Sequence, residues 1–162
     1  PTVGAGHTFT YFNGGSGIFP VIDVYAFSGA DTSSPFDQEN GATGSAVTSQ
    51  QPGSVTPSEN DELIVAGIGF GTAAHSALTI NSSFTKQFDT PLSGGNNMGG
   101  ASGYLIQTSA GAVNPTWDWT TANIVAATIA TFKSSGAAPP SAGGSNKITR
   151  GINSGINQGM NP

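Results

Sequence analysis

Short segments in which apolar residues alternate with other residues recur along residues 7–133, and glycine, proline, serine and asparagine separate them. A period of two indicates strands, because successive side chains of a strand point to opposite faces of a sheet. In chain order the segments are HTFTYF, VIDVYAF, ELIVAGIGF, FTKQF, YLIQT, PTWDWT and IVAATIATFK. The last one is long enough for a helix, but its β-branched residues favour a buried strand. The sequence therefore predicts an all-β domain.

The connections between these predicted strands are long and polar, which is typical of two antiparallel sheets packed face to face. VIDVYAF and ELIVAGIGF are apolar on both faces, so each suits the centre of a sheet. Gly67 and Gly69 in the second of them indicate a bulge or a close backbone contact. We predict an antiparallel two-sheet β-sandwich, jelly-roll-like in arrangement, over residues 1–133.

Charged residues make up only 8% of the chain, against about 25% in an average protein. Serine, threonine, asparagine and glutamine supply the polarity instead, and such an uncharged surface is typical of secreted and virion β proteins. All nine acidic residues precede residue 119, where Lys86 is the only basic residue. Nucleic acid is therefore not a predicted partner, because binding to its backbone requires clustered lysine and arginine. We predict an extracellular or virion-surface location.

The chain has no cysteine, which excludes disulfides and thiolate metal sites. No run of residues approaches the roughly 18 apolar residues of a membrane-spanning helix, so no membrane span is predicted. The first residue is Pro1 rather than methionine, and no signal peptide opens the chain. We therefore expect a processed product or a fragment.

Residues 134–146, SSGAAPPSAGGSN, have the composition of a linker that Pro139 and Pro140 stiffen. Residues 147–162 follow with a period of four, as GINS, GINQ and GMNP. This spacing places the apolar residues on one stripe of a helix or on one face of a strand. The apolar residues are Ile148, Ile152, Ile156 and Met160, and Arg150 lies among them.

The glycines of this tail, Gly151, Gly155 and Gly159, would each cost a helix roughly 1 kcal/mol relative to alanine. A helix this short is marginal by itself, so the tail needs a surface on which to lie. We predict a C-terminal assembly arm, extended or short and helical, that docks on a neighbouring subunit. The alternative is docking on the body of its own chain. Lys147 and Arg150 favour an acidic surface, such as the body of another copy.

Residue types that carry catalysis are few. His7 and His75 have no acidic residue close in sequence, so a hydrolase would require the fold to place one of them beside a carboxylate in a cleft. No nucleophile elbow is present, and GIGFGT, residues 67–72, has the wrong glycine spacing for a phosphate loop. The sequence predicts a protein that is not an enzyme and that needs no cofactor.

Asp31 and Asp37 bracket a loop, DTSSPFD, in which carboxylate and hydroxyl oxygens could surround a calcium ion. Asx and serine turns explain the same residues without a metal. We favour turns, because a hard-cation site usually gathers more carboxylates than this loop supplies. The acids of NDE, residues 60–62, could contribute if the two loops meet. No metal site is predicted, and Asp31 and Asp37 are only a weak candidate.

Trp117 and Trp119 share one face of a strand because they are two residues apart. With Tyr104 and Tyr25 they could form an aromatic platform on which sugar rings stack. If that face points inward, both indoles are core residues, and we favour this interpretation. An exposed face would indicate a carbohydrate-binding or adhesive module.

Four segments in this order resemble a recurrent β-sandwich domain of uncharacterised bacterial surface proteins and phage structural proteins. They are GAGHTFTYF, PVIDVYAFSGADTSSPFDQ, GSVTPSENDELIVAGIGFG and IVAATIATFK, within residues 4–133. The resemblance implies a fold rather than a reaction, because its motifs are those of strands and turns. Such domains usually carry further strands before HTFTYF, so we expect a partner chain or a missing N-terminal segment to supply them.

These observations predict a non-enzymatic structural subunit of an extracellular or virion surface assembly, such as a decoration, fibre or appendage module. The C-terminal arm would anchor it to other protein subunits, in a homo-oligomer or on a surface scaffold. The alternative is a carbohydrate-binding or adhesive β-sandwich module with glycans as its ligands.

Overall fold

The computed structural model describes Thr8, Thr10 and residues 22–71, 75–91 and 99–136. These residues form six strands and contain no helix. The strands are β1 (Phe36–Gln50), β2 (Glu62–Phe70), β3 (Thr79–Ile80), β4 (Thr85–Pro91), β5 (Gly99–Gln107) and β6 (Trp117–Phe132). The prediction of an all-β fold is confirmed for the described part of the chain.

All six strands belong to one antiparallel sheet in the order β1-β6-β2-β5-β4, and β3 also pairs with β6. β6 organises the sheet because its 16 residues are enough to serve three partners. One side of β6 pairs with β1, whereas the other pairs with β3 at residues 117–118 and with β2 at residues 125–132. A second sheet, which the predicted sandwich requires, is not among the described strands.

Some of the observed strands match segments that the sequence predicts, and others do not. IVAATIATFK is a strand, as predicted, and forms most of β6. Residues 22–27 of VIDVYAF belong to no strand, because they cross one face of the sheet and pack there through their side chains. The alternation of apolar residues does not predict β1, since this strand is polar, glycine-rich and has no buried residue. A strand without a buried face leaves no periodic signal.

One face of the sheet is buried beneath the connecting segments, and we call it the core face, defined by Ile64 and Ala66 of β2. Alternate residues of β6 reach the same face, since residues two apart in a strand share a face. The buried apolar residues are Val55, Ile64, Ala66, Ile68, Phe70, Leu78, Phe84, Ala101, Val113, Trp117, Trp119, Val125, Ala127 and Ile129. Val55, Leu78 and Val113 come from loops, so loops cover the core face in the described residues.

The opposite face is only partly covered, and we call it the groove face, defined by Leu63, Val65 and Gly67 of β2. Residues 62–68 of β2 alternate between buried and half-buried positions, which separates the two faces. Residues 22–30, the crossing segment, contact this face through Phe27. Two open grooves flank the crossing segment, so this face is an apolar sheet surface with one chain segment on it.

Gly103 of β5 lies so close to β4 that a Cβ atom there would stand 2.9 Å from the carbonyl oxygen of Thr85. A Cβ atom at Gly69 of β2 would meet nothing within 4 Å. We expect Gly103→Ala to lower the free energy of unfolding by about 1–3 kcal/mol, because the β4 backbone must shift. Gly69→Ala is the matched control and should leave stability nearly unchanged. Urea unfolding measures both, and equal effects would contradict the close approach of β4 and β5.

Candidate functional site

Two adjacent grooves run along the groove face. The first has a volume of about 870 Å³, and its lining includes Phe27, Val65 and Phe132. The second has a volume of about 730 Å³. Gly67 and Thr128 line both grooves, so the two adjoin on the sheet surface.

The pairing of three strands builds the apolar floor of the first groove. Each residue of β2 on this face has one partner on β5 and one on β6. The rows across the sheet are Ile106–Leu63–Phe132 and Tyr104–Val65–Ala130. Sequence alternation places Leu63 and Val65 on one face, but only the register of the sheet brings the residues of β5 and β6 beside them.

A polar cluster of Asp23, Tyr25 and Ser102 fastens the crossing segment to β5. The hydroxyl groups of Tyr25 and Ser102 both donate to Oδ2 of Asp23. Burial raises the pKa of the Tyr25 hydroxyl, and its hydrogen bond to Asp23 raises the pKa further. The phenol therefore stays protonated at neutral pH. Tyr25 is then a hydrogen-bond donor, and the cluster acts as a tether for the crossing segment.

His75 and Asp89 meet although they lie 14 residues apart. Nε2 of His75 donates to Oδ1 of Asp89 over 2.7 Å, and the imidazole stacks on Phe70 with 4.1 Å between the ring centroids. A hydrolase would require His75 to lie beside a carboxylate and to face a cleft, and the first of these two conditions is met. The cleft is the other condition, and the imidazole is instead 4% exposed in the core. His7 lies outside the described residues.

The Asp89 carboxylate joins strand β4 to the segment before β3. Burial opposes its ionisation, but hydrogen bonds from Lys86 and His75 outweigh burial and hold the pKa of Asp89 below its usual value. Nζ of Lys86 lies 2.6 Å from Oδ2 of Asp89 and also donates to the carbonyl oxygen of Leu78. These contacts form a structural cross-link between β4 and the segment before β3. In the sequence, only the spacing of Lys86 and Asp89 could have indicated it.

The two carboxylates of the candidate calcium loop have different partners. Oδ1 of Asp31 accepts from the backbone N–H groups of Ser33 and Ser34 at 2.6 and 3.3 Å, and these hydrogen bonds lower the pKa of Asp31. Asp37 instead accepts from the backbone N–H and the hydroxyl of Ser58. Among the residues that the structure describes, no group of three or more His, Cys, Asp or Glu is arranged to hold a metal ion. Turn formation accounts for Asp31.

Asp37, at the start of β1, and Glu62 of NDE, at the start of β2, do meet, at Ser58. Its hydroxyl oxygen lies 2.9 Å from Oδ1 of Asp37 and 3.3 Å from Oε1 of Glu62. Burial opposes the ionisation of Asp37, but the hydrogen bonds from Ser58 and the charge of Lys133 hold the pKa of Asp37 below its usual value. Glu62 is fully buried, which the sequence does not predict because glutamate is rarely buried.

Trp117 and Trp119 are 0% and 5% exposed and belong to the core. Tyr104 pairs with Val65 on the groove face, where its ring lies 5.1 Å from that of Phe27. Tyr104 therefore lies on the opposite face of the sheet from the two tryptophans, and the three residues do not share one surface as the alternative of a glycan platform requires. Both tryptophans are core residues, which is the interpretation that the sequence analysis favours.

The residues of the predicted arm lie outside the described part of the chain. They are Ile148, Arg150, Ile152, Ile156 and Met160. Pairing with the body continues two residues beyond the predicted domain end at Lys133, because the N–H of Ser135 donates to the carbonyl oxygen of Gly29 over 2.8 Å. The described chain ends at Gly136, beside the crossing segment.

The low pKa of Asp89 makes its contribution to stability depend on pH. That contribution is present above the pKa of an unfolded aspartate, about 3.9, and is lost as the pH falls through the lower folded value. At pH 6 we expect Asp89→Asn to lower the free energy of unfolding by about 1 kcal/mol, with partial exposure of the carboxylate limiting the loss. The difference from the unsubstituted chain should shrink below about pH 4. Asp118→Asn, at an exposed position of β6, is the control. Urea unfolding at several pH values measures both, and a difference for Asp89→Asn that does not change with pH would contradict the role of the charge.

Comparison of this chain with family models, with curated proteins and with solved structures finds no match. Within the described residues, no helix is long and apolar enough to cross a membrane.

Proposed function

We propose that this chain is a non-enzymatic structural subunit of an extracellular or virion surface assembly, and that its groove face receives the C-terminal arm of a neighbouring copy. The observation that carries the proposal is the apolar groove face. An apolar surface rimmed by polar residues is typical of a site that binds another protein chain. The core face, by contrast, is already covered by the loops of its own chain.

Large apolar side chains remain exposed on and beside the groove face. Phe27, Phe36 and Ile106 are 38%, 50% and 52% exposed. Leu63 and Phe132 lie half-buried among them. Covering these side chains would remove apolar surface from water, which is the main driving force for protein association.

The predicted arm has the pattern that such a surface requires. In an extended segment its apolar residues and Arg150 all point to one side, because they occupy even-numbered positions. That side presents Ile148, Ile152, Ile156 and Met160. An extended arm on the groove face would form part of a second layer. The complete assembly would then have the two-sheet, jelly-roll-like sandwich that the sequence predicts, with one layer supplied partly in trans.

Charge and reach both support docking of the arm. Asp23 and Glu39 line the grooves, and the arm carries Lys147 and Arg150. A fully extended linker of residues 137–146 would span at most about 36 Å, which sets the reach available to the arm. The composition predicts that Pro139 and Pro140 stiffen this linker locally.

The other two classes of function have less support. His75 lies in the core, and neither groove of the groove face includes its imidazole. Trp117 and Trp119 are packed inside, so the carbohydrate-binding alternative loses its platform.

We expect the full chain to self-associate and a chain ending at Gly136 to be monomeric. The paired change Ile152→Asp and Ile156→Asp should also give monomers, because a charge cannot enter an apolar groove without a large desolvation cost. The paired change Asn153→Asp and Asn157→Asp adds the same charge to the other side of the arm and should preserve association. Light scattering measures the mass of each protein in solution.

A substitution in the groove tests the other half of the contact. Val65→Glu should release the arm, whereas Ser109→Glu, at an exposed loop position, should not. A full chain that is already monomeric would contradict self-association. A Val65→Glu chain that remains oligomeric would show that the arm docks elsewhere.

A further inference from the structure

Three charged residues converge where β1 begins, β2 begins and β6 ends. The register pairs Phe132 of β6 with Phe36 of β1 on one side and with Leu63 of β2 on the other. Asp37, Glu62 and Lys133 each adjoin one of these paired residues in sequence. They are distant in the chain, and the sheet brings them together.

Lys133 and Asp37 form a partly enclosed ion pair. Nζ of Lys133 lies 3.7 Å from Oδ1 of Asp37, and the two side chains are 32% and 9% exposed. The Asp37 carboxylate is held in place by other groups as well. Its Oδ2 accepts from the backbone N–H of Ser58 at 3.0 Å and from the hydroxyl of Thr131 at 3.4 Å.

Glu62 lies next to this pair and is fully buried. Only one of its two carboxyl oxygens has a hydrogen-bond partner among the described residues. Its Oε1 lies 3.3 Å from the Ser58 hydroxyl oxygen and 3.1 Å from the backbone nitrogen of Glu59. Its Oε2 is buried and has no hydrogen-bond partner among the described residues. A buried carboxyl oxygen without a partner costs stability, so its position calls for a role other than stabilising the fold.

We propose that Lys133 and Asp37 join in an intramolecular isopeptide bond, with Glu62 as the group that transfers protons. The site would be a self-modification site: it acts once, on its own chain. This inference stands independently of the docking of the arm.

The bond forms between Nζ of Lys133 and Cγ of Asp37, and the bond between Cγ and Oδ1 breaks. Nζ first gives up a proton, which neutralises the carboxylate, and its electron pair then attacks Cγ. Of the three hydrogens on the ammonium group, one remains in the amide N–H and two leave with Oδ1 as water. The ion pair and the products both carry zero net charge, and no oxidant or reductant is needed.

The surrounding groups fit the steps of this reaction. The donors from Ser58 and Thr131 point at Oδ2, where negative charge develops when Nζ attacks, so they act as an oxyanion hole. The Ser58 hydroxyl bridges the leaving Oδ1 to Glu62. The Ser58 hydroxyl contacts both carboxyl groups, so through it Glu62 can exchange a proton with Asp37 during the reaction.

The other lysine of the described residues supplies a comparison within the same molecule. Lys86 lies 2.6 Å from Oδ2 of Asp89, closer than Lys133 lies to Asp37. The other neighbour of that carboxylate is His75, and no buried carboxyl group contacts it among the described residues. Proximity to a carboxylate therefore does not by itself single out Lys133 as the reacting lysine. What distinguishes Lys133 is the buried Glu62 beside its partner Asp37.

The intact mass of the purified full chain tests the proposal. We expect a mass that is lower than the sequence mass by one water, and a tryptic map in which residues 1–86 remain joined to residues 87–147. Lys133→Arg keeps the positive charge and the ion pair but removes the nucleophilic amine, so it should restore the full mass in a folded protein. Lys86→Ala is the matched control and should still lose one water.

Glu62→Gln separates the proton-transfer role from the pairing of charges. This variant should fold with the full mass or lose water much more slowly than the unsubstituted chain. A folded, unsubstituted chain with the full sequence mass would overturn the proposal. Loss of water that persists in Lys133→Arg would also overturn it, because that result would indicate an internal succinimide instead of a cross-link.

Discussion

The pairing of β6 with three other strands is the constraint on which the rest of this structure depends. Among the described residues, β1 and β3 pair with no strand other than β6, and every residue of β2 from Leu63 to Phe70 pairs with both β5 and β6. Alternate residues of β6 fill the core, while the residues between them, such as Thr128 and Phe132, line a groove. One long strand therefore sets the composition of both faces.

Three of the nine acidic residues lie where segments are joined. Asp89 ties β4 to the segment before β3, Asp23 ties the crossing segment to β5, and Asp37 ties the start of β1 to the loop before β2. Each carboxylate accepts at least two hydrogen bonds from residues that are distant from one another in the chain. Hydrogen-bonded carboxylates at these positions hold loops over the sheet, which explains how a chain with 8% charged residues still uses them structurally.

The proposed docking of the arm and the proposed isopeptide bond both concern the end of the molecule at which β6 ends. The described chain ends at Gly136, three residues after Lys133, so the predicted arm leaves the body near the end of β6. A force applied through a docked arm would enter the body at this point. The proposed bond between Lys133 and Asp37 would pass that force to β1 and would keep β6 from peeling away from its edge partner.

The sequence by itself determined the class of fold, the strand nature of IVAATIATFK and the turn at Asp31. These features depend on neighbouring residues, because alternation and Asx turns act over a few positions. Only the tertiary structure decided that Trp117 faces the core, that residues 22–27 cross a sheet face, and that Glu62 is buried beside Asp37. These outcomes depend on the register between strands that are far apart in the chain. Local spacing states which residues share a face, but the whole sheet decides what that face meets.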